Sequence, residues 1–155
     1  MTIESGFNQD FLDILIALDE TQAEFLVVGA HAMALHGVPR ATGDLDLFVR
    51  ASSANAQRVL EALVLFGAPV GSHGLAAEDL ERQNMVYQLG LPPRRIDLMT
   101  SISGVSFQDA WDSRETIEIG EHSIPFIGLD ALIKNKQATA RDKDLVDARL
   151  LTARK

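Results

Sequence analysis

The segment Asp44-Leu45-Asp46-Leu47 alternates carboxylates with leucines and constrains the fold more than any other part of the chain. In a β-strand, successive side chains point to opposite faces, so residues 44–49 predict a strand with buried leucines and both aspartates on the other face. Two adjacent carboxylates repel each other. Mg²⁺ or Mn²⁺ would relieve this repulsion, because hard cations prefer oxygen ligands. The alternative interpretation is a solvated strand face.

A glycine precedes this strand at the end of an apolar run. Residues 25–28 predict a buried strand, and Gly29 marks its junction with a short helix. Glycine allows close approach of the backbone to a ligand, and the first N–H groups of a helix attract phosphate. Gly29 and Ala30 are therefore candidates for phosphate binding beside the paired aspartates, which is the arrangement that phosphoryl transfer needs.

Helices and strands interleave along the chain, which favours an α/β or α+β fold with a mixed sheet flanked by helices. Helices are predicted over residues 7–21, 30–35, 54–66, 107–111, 129–138 and 142–153. Strands are predicted over residues 25–28, 44–49, 85–89, 94–99, 116–119 and 124–127, and residues 67–77 predict a loop. A length of 155 residues fits a single domain over residues 1–155.

A third acidic residue lies in another predicted strand, in the segment Ile96-Asp97-Leu98. Asp97 would complete a three-carboxylate cluster if its strand lies beside the strand of Asp44. The alternative is an ion pair with Arg94 or Arg95, and the sequence leaves the choice between them open. Both arginines are also candidates for contacts with a phosphate or with an acceptor molecule.

Three motifs together resemble the signature of the nucleotidyltransferase superfamily, whose members share a DNA polymerase beta-like fold. The motifs are Val28-Gly29-Ala30, Asp44-Leu45-Asp46 and Ile96-Asp97-Leu98. The strings 31–44, 94–97 and 135–147 are similar to a bacterial branch of small members, the minimal nucleotidyltransferases of toxin–antitoxin and abortive-infection systems. The resemblance covers roughly residues 10–150, nearly the whole chain.

This resemblance implies the transfer of a nucleoside monophosphate from an NTP to a hydroxyl of a protein, RNA or small molecule, with release of pyrophosphate. It places Gly29 and Ala30 at the triphosphate and assigns Asp44 and Asp46 to bind Mg²⁺ or Mn²⁺. Asp97 would contact one metal and accept the proton of the attacking hydroxyl. One departure stands out: the family usually has Ser or Gly after the first glycine, whereas Ala30 offers only its backbone N–H.

Other residues are weaker candidates for the same site. Arg40 and Thr42 precede the predicted metal strand and are candidates for phosphate contacts, with turn packing and capping as the alternative. Lys136 belongs to a basic cluster between the last two predicted helices. It is a further candidate for the nucleotide, unless the cluster is a solvated surface balanced by nearby acids. His31 and His36 are expected to have structural roles around the glycine turns.

Composition narrows the compartment and the partners. The chain has no cysteine, no start typical of a signal peptide, and no apolar run near the ~20 residues of a membrane helix. These features favour a cytoplasmic protein with no membrane partner. A net charge of −8 argues against a broad DNA-binding surface. The expected partners are an NTP, an unidentified hydroxyl acceptor and, as a further candidate, a protein from a neighbouring gene.

Two alternative functions retain the same fold. One is a non-catalytic, antitoxin-like interaction protein, and the other is a nucleotide-binding module. The intact set of Asp44, Asp46 and Asp97 favours the enzyme. The substitution at Ala30 and the lack of an evident acceptor-binding segment favour the alternatives.

Overall fold

Six strands in the described part of this computed structural model, residues 7–40 and 43–155, form one mixed sheet. They are β1 (Phe25–Val28), β2 (Leu45–Val49), β3 (Val86–Leu89), β4 (Ile96–Met99), β5 (Glu115–Ile119) and β6 (His122–Phe126). Their order across the sheet is β3-β4-β2-β1-β6-β5. The central pair β1–β2 is antiparallel, whereas β2–β4 and β1–β6 are parallel.

Helices flank this sheet. They are α1 (Gln9–Glu20), α2 (Gly29–Leu35), α3 (Ser53–Phe66), α4 (Phe107–Asp112), α5 (Leu129–Thr139) and α6 (Asp142–Thr152), with a short 3₁₀ helix at Ala77–Glu81. The predicted α/β fold with a mixed sheet and flanking helices is confirmed, although the sequence does not predict the 3₁₀ helix. Within the residues described, no helix is long and apolar enough to cross a membrane.

The apolar core includes every residue of β1, all four of which are buried. The helices α1 and α3 pack against each other, and their apolar residues join the buried cluster of the sheet. The capping residues of these two helices set their ends. The side chain of Asn8 accepts a hydrogen bond from the N–H of Phe11 at the start of α1, and Gly67 closes α3 with a φ of 95°.

The strand β2 is amphipathic, as its alternation predicts. Leu45 and Leu47 are fully buried, whereas Asp46 lies on the other face and is half-buried. Burial of each leucine stabilises the fold by about 1.5–3 kcal/mol, so the two leucines fix the register of the strand. Asp44 immediately precedes β2 and is not part of the strand, a shift of one residue from the predicted start.

A buried asparagine joins the start of β1 to the end of β2. Asn55 lies in the first turn of α3 and is 1% exposed. Its Oδ1 accepts a hydrogen bond from the Glu24 N–H at 2.7 Å, and its Nδ2 donates to the carbonyls of Glu24 and Arg50, both at 3.0 Å. Because buried polar groups destabilise a fold when they lack partners, this side chain stabilises both strand ends.

Candidate functional site

Three aspartates come together at one edge of the sheet. Asp46 in β2 lies directly opposite Asp97 in the parallel strand β4, as predicted, and Asp44 lies just before β2. The same row continues to Gln88 of β3, which is opposite Asp97, and to Val28 of β1, which is opposite Asp46. Two carboxylates therefore share one row and one face of the sheet, and a third lies at its end.

One arginine binds two of the three carboxylates. The Nε of Arg95 donates to Oδ1 of Asp97 at 2.7 Å, and its Nη2 donates to Oδ2 of Asp97 at 3.0 Å. Nη2 also lies 3.3 Å from Oδ2 of Asp44, and the backbone N–H of Arg95 donates to Oδ1 of Asp44 at 3.0 Å. Arg95, and not Arg94, is thus the ion-pair partner that the sequence left open. The pairing joins Asp97 to Asp44 and does not separate them.

The third carboxylate has no such partner. No side chain or backbone group in residues 7–40 and 43–155 forms a hydrogen bond or ion pair with the Asp46 carboxylate. Burial, followed by the negative charges of Asp97 and Asp44, raises the pKa of Asp46 to about 6. The charges of Arg95 and Lys136 oppose this shift only in part. The cluster therefore carries more negative charge than its surroundings neutralise.

The donor atoms suit a divalent cation, but their present arrangement does not. Carboxylate oxygens are the ligands that Mg²⁺ and Mn²⁺ prefer. In the described part of the chain, however, no three acidic or histidine side chains are arranged to hold a metal ion. The contacts of Arg95 engage both oxygens of Asp44 and both oxygens of Asp97. Metal binding by Asp44, Asp46 and Asp97 stays a prediction.

Gly29 is required by the carboxylate cluster itself. Its φ of +69° is in the left-handed region that favours glycine. A Cβ at this position would overlap Oδ2 of Asp46 and would lie 3.1 Å from Cβ and Cγ of the same residue. The sequence assigns Gly29 to phosphate and Asp46 to metal as separate roles, whereas the structure makes them a single packed unit.

Two open clefts meet above Gly29 and Asp46. The first has a volume of about 430 Å³ and extends from Asp46 past Met99 to Asn135 on α5. The second, of about 340 Å³, extends over Ala30 and the first turn of α2. Lys136 borders both clefts. The sequence does not identify the uncharged polar residues of the first cleft as site residues; they are Asn84, Ser101, Ser103, Asn135 and Thr139.

Four basic side chains surround the second cleft: Arg40, Lys136, Arg141 and Lys143. The half-buried Lys136 lies 3.2 Å from Asp147 and 3.6 Å from Asp144. Arg141 donates to Asp144 at 2.6 Å, and Arg40 forms an ion pair with Asp147. Asp144 and Asp147 are buried beneath these cations. The acids of α6 therefore balance the charge of the basic cluster, as one interpretation predicts. They also keep these basic side chains beside the cleft.

Burial affects the protonation equilibrium of Lys136. Desolvation lowers the pKa of its amine, and the nearby charge of Asp144 opposes the change. The carboxyl of Asp144 shifts the other way, since its hydrogen bond from Arg141 lowers its pKa. Asp144 therefore influences the pKa of Lys136, and Arg141 influences the pKa of Asp144.

The remaining candidates divide between the site and the core. Thr42 lies outside the described residues. His31 is buried and stacks on Phe7 with 4.8 Å between ring centroids, and Nε2 of His36 is 2.8 Å from the carbonyl oxygen of Ile127. Both histidines thus have structural contacts, although these contacts are not the predicted capping of the glycine turns. Arg94 is exposed and forms no ion pair within the described part of the chain.

Comparison with known proteins shows a shared fold. No protein-family model matches the chain, and no curated protein matches it significantly in sequence. A candidate nucleotidyltransferase from Thermotoga maritima superposes with a TM-score of 0.55 at 16% identity, covering 95% of this chain and 93% of its own. An antigenic nucleotidyltransferase-like protein from Paracoccidioides brasiliensis gives 0.52 at 16% identity, covering 94% of this chain and 74% of its own. At such identities the likeness concerns the fold alone.

Proposed function

We propose that this protein transfers a nucleoside monophosphate from an NTP to a hydroxyl acceptor in the presence of Mg²⁺ or Mn²⁺ and releases pyrophosphate. The observation that carries the proposal is the position of Asp46 and Asp97, which lie opposite each other on adjacent strands at clefts bordered by cations. Acidic groups for a metal beside basic groups for phosphate are the combination that phosphoryl transfer uses. The shared fold of the two nucleotidyltransferase-like structures supports the same reaction class.

The charges of the two clefts suggest how the nucleotide lies. The second cleft has four cations around Ala30 and suits a triphosphate. Because α2 has only seven residues, these side chains should contribute more to binding than the helix dipole does. The first cleft combines the apolar Met99 with amides and hydroxyls, and its volume is within the range of small-molecule pockets. We assign it to the nucleoside.

The chemistry follows from these positions. The acceptor oxygen attacks the α-phosphorus, a new P–O bond forms, and the bond to the bridging oxygen breaks. Pyrophosphate leaves with the electron pair, and the Asp97 carboxylate accepts the proton of the acceptor hydroxyl. A divalent cation, when bound, neutralises the phosphate oxygens and aligns the nucleophile with the leaving group. Lys136 and Arg141 hold the departing phosphates, because both border the clefts on the side of Gly29.

A second candidate function is a non-catalytic protein that binds a nucleotide or a partner from a neighbouring gene. Two observations favour it. Arg95 occupies the oxygens of Asp44 and Asp97, which weakens a metal site. Ala30 also lacks the hydroxyl that the resembled family commonly provides for phosphate. This candidate predicts nucleotide or partner binding without any transfer.

The test is to incubate the protein with each NTP, labelled on its α-phosphate, and with lysate protein and RNA as acceptors. Wild type should transfer label from at least one NTP. Asp46→Asn should abolish both transfer and metal-dependent NTP binding. Asp97→Asn should reduce transfer by about a hundredfold or more and affect NTP binding much less, because a general base acts mainly in the transition state.

Two lysines of α5 provide a matched pair for the phosphate assignment. Lys136→Gln should weaken NTP binding by about tenfold, since it loses a charge-assisted contact with phosphate. Lys134→Gln removes the same charge at an exposed position two residues away on the same helix. It should change NTP binding by less than about twofold. No transfer with any NTP, together with a partner complex that survives Asp46→Asn and Asp97→Asn, would establish the second candidate instead.

A further inference from the structure

Arg95 makes more contacts than are usual for an arginine that is partly exposed to solvent. Its guanidinium makes a two-pronged hydrogen bond with Asp97 and also reaches Asp44. Its side chain is 29% exposed, compared with 12% for Asp97 and 20% for Asp44. The arginine therefore covers the two carboxylates while it keeps access to solvent. Nothing in the resemblance to known nucleotidyltransferases assigns it a role.

The contacts of Arg95 compete with those that a metal ion would make with the cluster. A divalent cation bound by the cluster would take an oxygen lone pair from Asp97 and from Asp44. The guanidinium is a rigid, planar cation that already contacts both oxygens of Asp97 and one oxygen of Asp44, so it competes with a metal ion for the same oxygens. The positive charges of the guanidinium and the metal ion would also repel each other.

We infer that Arg95 is a built-in counter-cation that occupies the carboxylate cluster in the free protein, and that a divalent ion binds only when this side chain moves out. The inference rests on the proposed function only in identifying the competitor as a divalent ion. Asp46, which Arg95 does not reach by hydrogen bond or ion pair in the described chain, is the ligand open to an arriving ion. Release of Arg95 then makes Asp97 and Asp44 available.

This arrangement links metal binding to nucleotide binding. A metal ion alone must displace Arg95 with the help of only three carboxylates. A metal–NTP complex brings further ligands of its own and also gains the cations Lys136 and Arg141. The protein should consequently bind Mg²⁺ or Mn²⁺ weakly in the absence of nucleotide, and Arg95 is the residue that sets this threshold.

The test uses Mn²⁺ alone, with no NTP and no acceptor. Arg95→Gln removes the guanidinium charge and preserves the backbone N–H that binds Asp44. Its affinity for Mn²⁺, measured by calorimetry and by electron paramagnetic resonance, should exceed that of wild type by about tenfold or more, as expected for loss of a charge-assisted competitor. Its melting temperature should be lower than that of wild type without metal and should rise more on adding Mn²⁺.

The adjacent arginine is the control. Arg94→Gln makes the same change at an exposed position without an ion pair in the described chain, so its Mn²⁺ affinity should remain within about twofold of wild type. The double variant Arg95→Gln/Asp46→Asn should lose the gain, which would locate the added binding in the cluster. An Arg95→Gln affinity for Mn²⁺ that is equal to or below that of wild type, including no binding, overturns the inference.

Wild-type protein provides an independent readout should Arg95→Gln not fold. The Nε–H resonance of Arg95 in a ¹⁵N spectrum should shift as Mg²⁺ is titrated, together with the backbone resonance of Asp46. A shift at Asp46 without one at Arg95 overturns the inference. Because no nucleotide is present, displacement of Arg95 can succeed where nucleotide transfer fails, and the reverse result is equally distinguishable.

Discussion

Replacing Asp46 by asparagine should make the ligand-free protein more stable. Burial, followed by the charges of Asp97 and Asp44, raises the pKa of Asp46 from 3.8 to about 6. The ionised carboxylate therefore opposes folding at neutral pH by roughly two pKa units, or on the order of 3 kcal/mol as an upper bound. Asparagine has nearly the same shape and no charge. Asp46→Asn should accordingly increase the free energy of unfolding by about 1–3 kcal/mol.

For the other two carboxylates of the cluster, we expect substitution by asparagine to change the free energy of unfolding in the opposite direction. Asp97 and Asp44 each form an ion pair with Arg95, so asparagine at either position loses a charge-assisted contact. Asp97→Asn and Asp44→Asn should lower the free energy of unfolding by about 1–2 kcal/mol each. The three substitutions are chemically identical and lie in one cluster. The Arg95 contact is present at Asp44 and Asp97 and absent at Asp46.

The pH dependence tests the same charge. Folding raises the pKa of Asp46, so the native state binds this proton more tightly than the unfolded chain does. Its destabilising effect is present above about pH 6 and disappears as the pH falls toward about 4. In urea unfolding with EDTA, the advantage of Asp46→Asn over wild type should be largest at pH 8 and smallest near pH 4. A variant no more stable than wild type at pH 8 would refute the reasoning.

Two further substitutions, each with a control, test the packing at the site and the hydrogen bonds at the opposite ends of β1 and β2. Gly29→Ala should lower the free energy of unfolding by about 2–4 kcal/mol, because it adds a collision with Asp46 to the strain of a positive φ. Gly120→Ala, with a φ of +63° and no atom near its added Cβ, should lose only about 1 kcal/mol. Asn55→Ala leaves the partly buried Glu24 N–H and Arg50 carbonyl without their hydrogen-bond partner and should lose about 2–4 kcal/mol in urea unfolding, while the Glu24 carbonyl keeps its bond from the Arg50 N–H. The exposed Gln57→Ala on the same helix should change stability by less than about 0.5 kcal/mol, and equal losses at the two α3 positions would contradict the assignment.

Local periodicity is what made the fold predictable from the sequence. In β2, the leucines can be buried only if Asp46 lies on the opposite face, so the alternation determines the direction of every side chain. The same rule could also have settled the choice between Arg94 and Arg95. Arg95 is two residues before Asp97 and therefore on its side of the chain, whereas Arg94 is not.

Features that depend on pairing between strands distant in the chain could not be predicted from the sequence. The contact between Gly29 and Asp46 follows from the antiparallel register that places Val28 opposite Asp46. No local pattern encodes that register. Asn55 was missed for a related reason, since an asparagine in the first turn of a helix is ordinarily a surface residue. Two of its three hydrogen bonds are with Glu24, 31 residues earlier in the chain.

The position of Arg95 also bears on the kinetics of folding. Arg95 and Asp44 are in contact although they are 51 residues apart in sequence, because β2 and β4 pair in parallel. Such a pair requires a long loop to close before any contact forms, which slows folding. Asp46 and Asp97 repel each other once these strands pair, and Arg95 places a positive charge against Asp97. Arg95 therefore also favours the pairing of β2 with β4, because it offsets part of the repulsion between their carboxylates.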